Sequence, residues 1–292
     1  MNKVKIAKTI STLTNPPIIC IPLFMIISLV LSFENRLFSL QKFITLELIS
    51  IIFASLMPMV IILFWAKKLN TDRDISNRQD RFTPLIVGIV SYFIGFLTLL
   101  ILNVDNFLTA LLLCYSINTG VVLLITFKWK ISVHTTGLSG PVAALILLLG
   151  PVGALFGIIY PLLIWSRVIL NKHTLAQAIS GGVQGFFLTV LEMHLFIWLF
   201  KFNVVGMTPL IMCIYYIFAI IFTPALLGLL SYRDISNKRT AFIVFEIIGF
   251  AIFLAFMPLD AVFIYILISL TFILVSFYGG DDFSWFKVLK SS

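Results

Sequence analysis

Charge is scarce in this chain. Only 11% of its 292 residues are Asp, Glu, Lys or Arg, against 61% hydrophobic, and the mean hydropathy is +1.13. Soluble domains carry about 25% charged residues. The shortage, together with long apolar runs, excludes a water-soluble globular fold and leaves a polytopic membrane protein. Cysteine is scarce as well: Cys20, Cys114 and Cys213 each fall inside an apolar run, which excludes a disulfide framework. Acidic residues number 12 against 20 Lys and Arg, a net +8. The cations sit in short segments between apolar runs, where membrane topology accounts for them, so nucleic acid is not an expected partner. Met1 to Thr14 is too polar, and Pro16-Pro17 too abrupt, for a cleaved signal peptide.

Apolar runs predict spans near 17–33, 45–66, 84–102, 107–127, 176–200, 205–231, 241–258 and 260–277. Between His134 and Arg167 lie two shorter apolar pieces, near 139–150 and 153–165, separated by Gly150-Pro151-Val152-Gly153. Each is about a dozen residues, roughly 18–20 Å if helical, which predicts a hairpin of two short helices inside the bundle. The alternative is one long kinked helix, which would put His134 and His173 on opposite faces of the membrane. With the hairpin the fold class is an all-α polytopic membrane bundle of about ten helices. One side then collects 17 of the 20 cations and the other holds only Arg36, Lys42 and Lys201. The positive-inside rule makes the richer side cytoplasmic. The same arrangement brings the polar loops 67–83, 128–138 and 166–175 to one face.

Those loops hold the candidate chemistry. The third has Ser166-Arg167, five residues, then His173, and Gly181 and Gly185 follow as a Gly-x-x-x-Gly pair. Arginine is a fixed cationic fork suited to phosphate oxygens, and histidine serves as nucleophile or proton carrier near neutral pH. An ordinary cationic membrane flank has the same composition. The second loop carries Lys128, Lys130 and Ser132-Val133-His134, followed by Gly137, Ser139 and Gly140. The first carries Arg78 and Arg81, three apart and so on one face if helical, with Pro84 opening the next span.

Together these segments resemble the three signatures of the type 2 phosphatidic acid phosphatase superfamily, which includes membrane lipid phosphatases, soluble acid phosphatases and vanadium haloperoxidases. The third signature is closest. In the second, the usual Pro-Ser-Gly-His is reduced to Ser132-Val133-His134. In the first, Asp74 stands where the family's lysine falls before Arg81, and the segment is similar to the Arg-x-x-Arg-x-x-Pro form of some prokaryotic members. The resemblance covers roughly residues 67–190 of a single membrane domain and leaves 200–292 as additional C-terminal helices.

The resemblance implies an integral enzyme of a prokaryotic cell membrane that hydrolyses a lipid phosphate or diphosphate, such as a polyprenyl diphosphate or phosphatidate, without metal or cofactor. It makes His173 the nucleophile and His134 the general acid. Arg167, Arg78 and Arg81 bind phosphate oxygens, with Ser166, Ser132 and Lys130 beside them. The family's aspartate four residues after the nucleophile is Gln177 here, which can orient the ring but brings no charge. His194 lies 21 residues beyond His173 on the same span, roughly 31 Å away along a helix, and receives no role.

Two other readings stand beside this one. Asn70, Asp72, Asp74 and Asp80 can imitate the aspartate-rich, magnesium-binding motif of UbiA-type prenyltransferases, although Lys238 occupies the place of a partner aspartate near Asp234. A non-enzymatic lipid transporter is the other. Arg73-Asp74-Ile75-Ser76-Asn77-Arg78 recurs as Arg233-Asp234-Ile235-Ser236-Asn237-Lys238, and no repeat extends beyond it.

Overall fold

The structure is a computed structural model, and the residues it describes are 3–34, 37–70, 75, 77–201, 243–244, 246–251, 254 and 259–278. The chain is an all-α bundle. Five described helices are long and apolar enough to cross a bilayer, or six if the first bent pair is one span, and the protein is an integral membrane protein.

The chain begins with a helix the polar N-terminus did not lead us to expect. Helix α1 (Lys3–Leu13) turns Ala7 and Ser11 inward, one helical turn apart. Asn15, in extended conformation, and Pro16-Pro17 end it, and α2 (Pro16–Leu31) leaves at 56°. A two-stranded turn, β1 (Phe33–Glu34) with β2 (Leu37–Phe38), leads to α3 (Leu40–Ser50). Helix α3 continues through a π-helical stretch, Ile51–Leu56, into α4 (Met57–Lys68), forming one 29-residue span. Pro58 has no amide hydrogen to close an ordinary ladder at this point. The neighbouring carbonyl of Phe53 accepts the Ser91 hydroxyl of α5 (Phe82–Leu102) at 2.6 Å. Helix α6 (Asn106–Thr126) is N-capped by Asp105, which also pairs with Lys42 at 3.1 Å.

The hairpin is present, with longer arms than expected. Helix α7 (Val133–Leu149) starts at Val133 because Ser132 caps it. Gly150, at φ 61°, reverses the chain into α8 (Pro151–Ala154), a 3₁₀ stretch at Leu155–Ile159, and α9 (Tyr160–Ile169). The arms are 17 and 19 residues long rather than about a dozen, since the polar start of α7 is itself helical. The last described helices are α10 (Leu175–Phe200) and α11 (Leu259–Tyr278), the latter against α8 and α9. The span expected at 205–231, half of that at 241–258, and most of the repeated Arg-Asp-Ile-Ser-Asn segment lie outside the described residues.

Gly181 and Gly185 set how closely α10 meets α7. A Cβ on Gly181 would collide with the Ser132 carbonyl and the Thr135 hydroxyl, and one on Gly185 would come within 2.7 Å of the Ser139 Oγ. Thr136 Oγ1 crosses the seam to donate to the Gly181 carbonyl at 2.9 Å. Gly181→Val is therefore expected to cost about 1–3 kcal/mol by overpacking, a fall of roughly 3–10 °C in Tm. Thermal unfolding of the detergent-solubilised protein checks this, and an unchanged Tm would contradict the close approach.

Candidate functional site

The N-terminal ends of α5, α7 and α10 meet at one end of the bundle. Each brings a sequence-predicted residue: Arg81 directly precedes α5, His134 lies in the first turn of α7, and His173 stands just before Thr174, the N-cap of α10. Arg81, His134 and His173 line one cavity of about 100 Å³. All three are nearly buried, at 5%, 6% and 5% exposure. Converging helix N-termini add positive potential there.

The spacing of Arg167 and His173 follows from how α9 ends. Asn171 takes the left-handed conformation at φ 52°. The amides of Lys172 and His173 then both reach back to the Arg167 carbonyl, at 3.1 and 3.3 Å. This cap folds His173 over the end of α9. Arg167 itself is fully buried, and its Nη1 donates to Ser11 Oγ of α1 at 2.6 Å. Helix α1, to which sequence reasoning gave no role, thus braces the end of α9, and neither Ser11 nor Arg167 lines the cavity.

Lys130, Ile131 and Ser132, between α6 and α7, tie the site together through their backbone. The Lys130 carbonyl faces His173 Nδ1 at 3.2 Å, and the Ile131 carbonyl accepts from Arg81 Nη1 at 3.3 Å. The Ser132 amide donates to the Gln177 carbonyl at 3.2 Å. Arg81 Nε donates to the Ile75 carbonyl at 2.8 Å, so its fork is held on two sides.

A carbonyl only accepts, so Nδ1 of His173 must carry the ring hydrogen. That leaves Nε2 with its lone pair, and Nε2 has no hydrogen-bond partner among the described residues. Burial lowers the His173 pKa from 6.5 to about 2, helped by the charges of Arg81, Arg167, Lys130 and His134. In the free protein the ring is neutral throughout the physiological range. Its folded pKa lies below the unfolded value, so His173 destabilises the fold progressively as pH drops below 6.5 and contributes nothing above it. Ring nitrogen NMR is expected to show the neutral Nδ1–H form still present at pH 5; a cationic ring at that pH would contradict this environment.

Other predicted residues serve the frame. The Gln177 side chain does not hold the His173 ring: its Oε1 accepts from the Thr174 amide at 3.1 Å, while Thr174 Oγ1 accepts from the Gln177 amide at 3.2 Å, a capping box. The orienting group is the Lys130 carbonyl, which leaves no mark in a sequence. Ser132 Oγ caps α7, and the Ser166 hydroxyl donates to the Leu163 carbonyl at 2.8 Å. Arg78, half-buried, donates to the Phe127 carbonyl at 2.8 Å, so Arg78 and Arg81 take different partners. His194 is exposed far along α10. Asp80 accepts from Asn77 Nδ2 at 3.0 Å, while Asp72, Asp74, Asp234 and Lys238 lie outside the described residues.

Compared with family models, curated proteins and solved structures, the chain matches none.

Proposed function

We propose that the protein is a membrane phosphatase that cleaves a lipid phosphate or diphosphate through a phosphohistidine. The observation that carries this reading is the convergence of Arg81, His134 and His173 on one cavity from three separate loops. The resemblance of those loops to the type 2 phosphatidic acid phosphatases supports it. So does the amphipathic lining of the cavity, with Arg81 and two histidines at one end and Pro58, Ile62, Leu85 and Tyr92 beyond.

In the first step the lone pair on His173 Nε2 attacks phosphorus and the bond from phosphorus to the leaving oxygen breaks. His134 gives that oxygen a proton. Arg81 stabilises the phosphoryl oxygens in the transition state, and the buried Arg167 charge acts from behind His173. In the second step His134 takes a proton from water as the water oxygen attacks phosphorus. The phosphorus–nitrogen bond breaks and its electron pair returns to Nε2. Through both steps Nδ1 keeps its hydrogen on the Lys130 carbonyl. The distribution of cations in the sequence favours the cytoplasmic face for this chemistry.

Purified protein in detergent is expected to release phosphate from polyprenyl diphosphate or phosphatidate in the presence of EDTA. Strict dependence on magnesium would overturn the mechanism and favour an aspartate-based prenyltransferase. No release under any condition would favour a transporter.

A further inference from the structure

The polar end of the cavity has an apolar continuation with a definite floor. Arg81 at the start of α5, and Leu85, Gly88 and Tyr92 along it, follow one another at helical spacing and line the same cavity. Arg81 to Tyr92 is eleven residues, roughly 16 Å of helix. The opposite wall comes from Pro58 and Ile62 of α4, one turn apart, and Pro16, Pro17 and Thr119 close the rest.

Gly88 lines the cavity one turn before Tyr92. A Cβ placed there would lie 3.6 Å from Tyr92 Cε2 and 3.8 Å from Thr119 Cγ2, ordinary contact for one carbon. A longer side chain at Gly88 would have to occupy the passage itself.

Tyr92 is braced as a floor. Its ring meets Tyr115 edge-on at 5.4 Å, and Tyr115 in turn meets Phe24 at 5.2 Å. Behind Tyr92 lies a second void of about 40 Å³, which shares Pro16, Tyr92, Thr119 and Val133 with the first. That rear void is lined mainly by apolar groups, Tyr115, Val122 and Val133 among them, with Asn118 and Thr136 as its polar members. Tyr92 therefore stands between the two voids and closes the first from the second.

Resting on the lipid-phosphate reading, we propose that this slot takes a single hydrocarbon chain of the substrate, with Gly88 setting its bore and Tyr92 its depth. The cationic end holds the phosphate and fixes which part of the chain enters. A cavity of about 100 Å³ has no room for two chains, so a diacyl lipid would have to leave at least one chain outside.

The test uses the full-length protein in nanodiscs with farnesyl, geranylgeranyl and undecaprenyl diphosphates and dioleoyl phosphatidate as probes. Wild type is expected to show a lower kcat/KM for the diacyl lipid than for the best prenyl probe. Gly88→Leu is expected to shift the kcat/KM ratio of farnesyl to undecaprenyl diphosphate at least tenfold toward the shorter chain. Tyr92→Ala, which deepens the slot, is expected to move it the other way. Either variant can be read if the other fails to fold, and Ile86→Leu on the exposed side of α5 controls for general effects on the helix. Release by wild type with ratios unchanged in both variants would overturn the slot alone, as would phosphatidate turned over as well as the prenyl lipids. No release by wild type from any probe would overturn the lipid-phosphate reading and the slot with it.

Discussion

His173→Ala is expected to lower phosphate release on the order of 10⁴-fold or more, the size of loss that follows removal of a covalent nucleophile. No second histidine is expected to take over: His134 lines the same cavity but has the proton-transfer role in the proposed mechanism, and His194 is exposed far along α10. Nε2 of His173 is the ring atom left without a hydrogen bond, while Nδ1 is fixed by Lys130. The substitution removes a small, nearly buried ring at a helix cap, and the bonds that form the cap are made by backbone atoms. The variant should therefore fold, and its thermal unfolding should stay close to that of wild type. A folded variant with undiminished release would remove His173 from the mechanism.

Arg81 is the second large effect. Arg81→Ala is expected to reduce kcat by roughly 10²–10³-fold, as for loss of one preorganised donor to a developing anion. Arg81→Lys should recover little of this. The guanidinium is oriented by two carbonyls, of Ile75 and Ile131, at 2.8 and 3.3 Å, and an ammonium cannot make both bonds and still present a flat fork to phosphate. Arg78→Ala provides the contrast: its partner is the Phe127 carbonyl outside the cavity lining, so a much smaller loss is expected. Equal losses at the two arginines, measured as kcat and KM on one substrate, would contradict this division.

The sequence made the bundle and its hairpin readable because both rest on local chemistry. Apolar runs long enough to span a bilayer, and a Gly150-Pro151 break that no helix passes through, need no tertiary information. The convergence of loops 67–83, 128–138 and 166–175 followed from counting crossings. The backbone of the site was not readable. The Lys130 and Ile131 carbonyls orient His173 and Arg81, and every residue has a carbonyl. Gln177 illustrates a competing use of one position: the spacing Thr174-x-x-Gln177 is that of a capping box, a signal that could have assigned its side chain to the helix terminus. Helix α1 was hidden by its polarity, since only Ala7 and Ser11 face inward. Ser11 and Arg167 are 156 residues apart, beyond the reach of any local pattern. The π-helical stretch ahead of Pro58 left only the proline as a trace.

The most direct test of the account is to trap the covalent intermediate. Purified protein would be mixed with lipid diphosphate in EDTA, quenched in alkali within one turnover, and digested for mass spectrometry. The account predicts an alkali-stable, acid-labile phosphoryl group on the peptide bearing His173, attached at Nε2 and absent from His173→Ala. Steady release of phosphate in EDTA with no phosphohistidine at His173, or with the label on another residue, would contradict it.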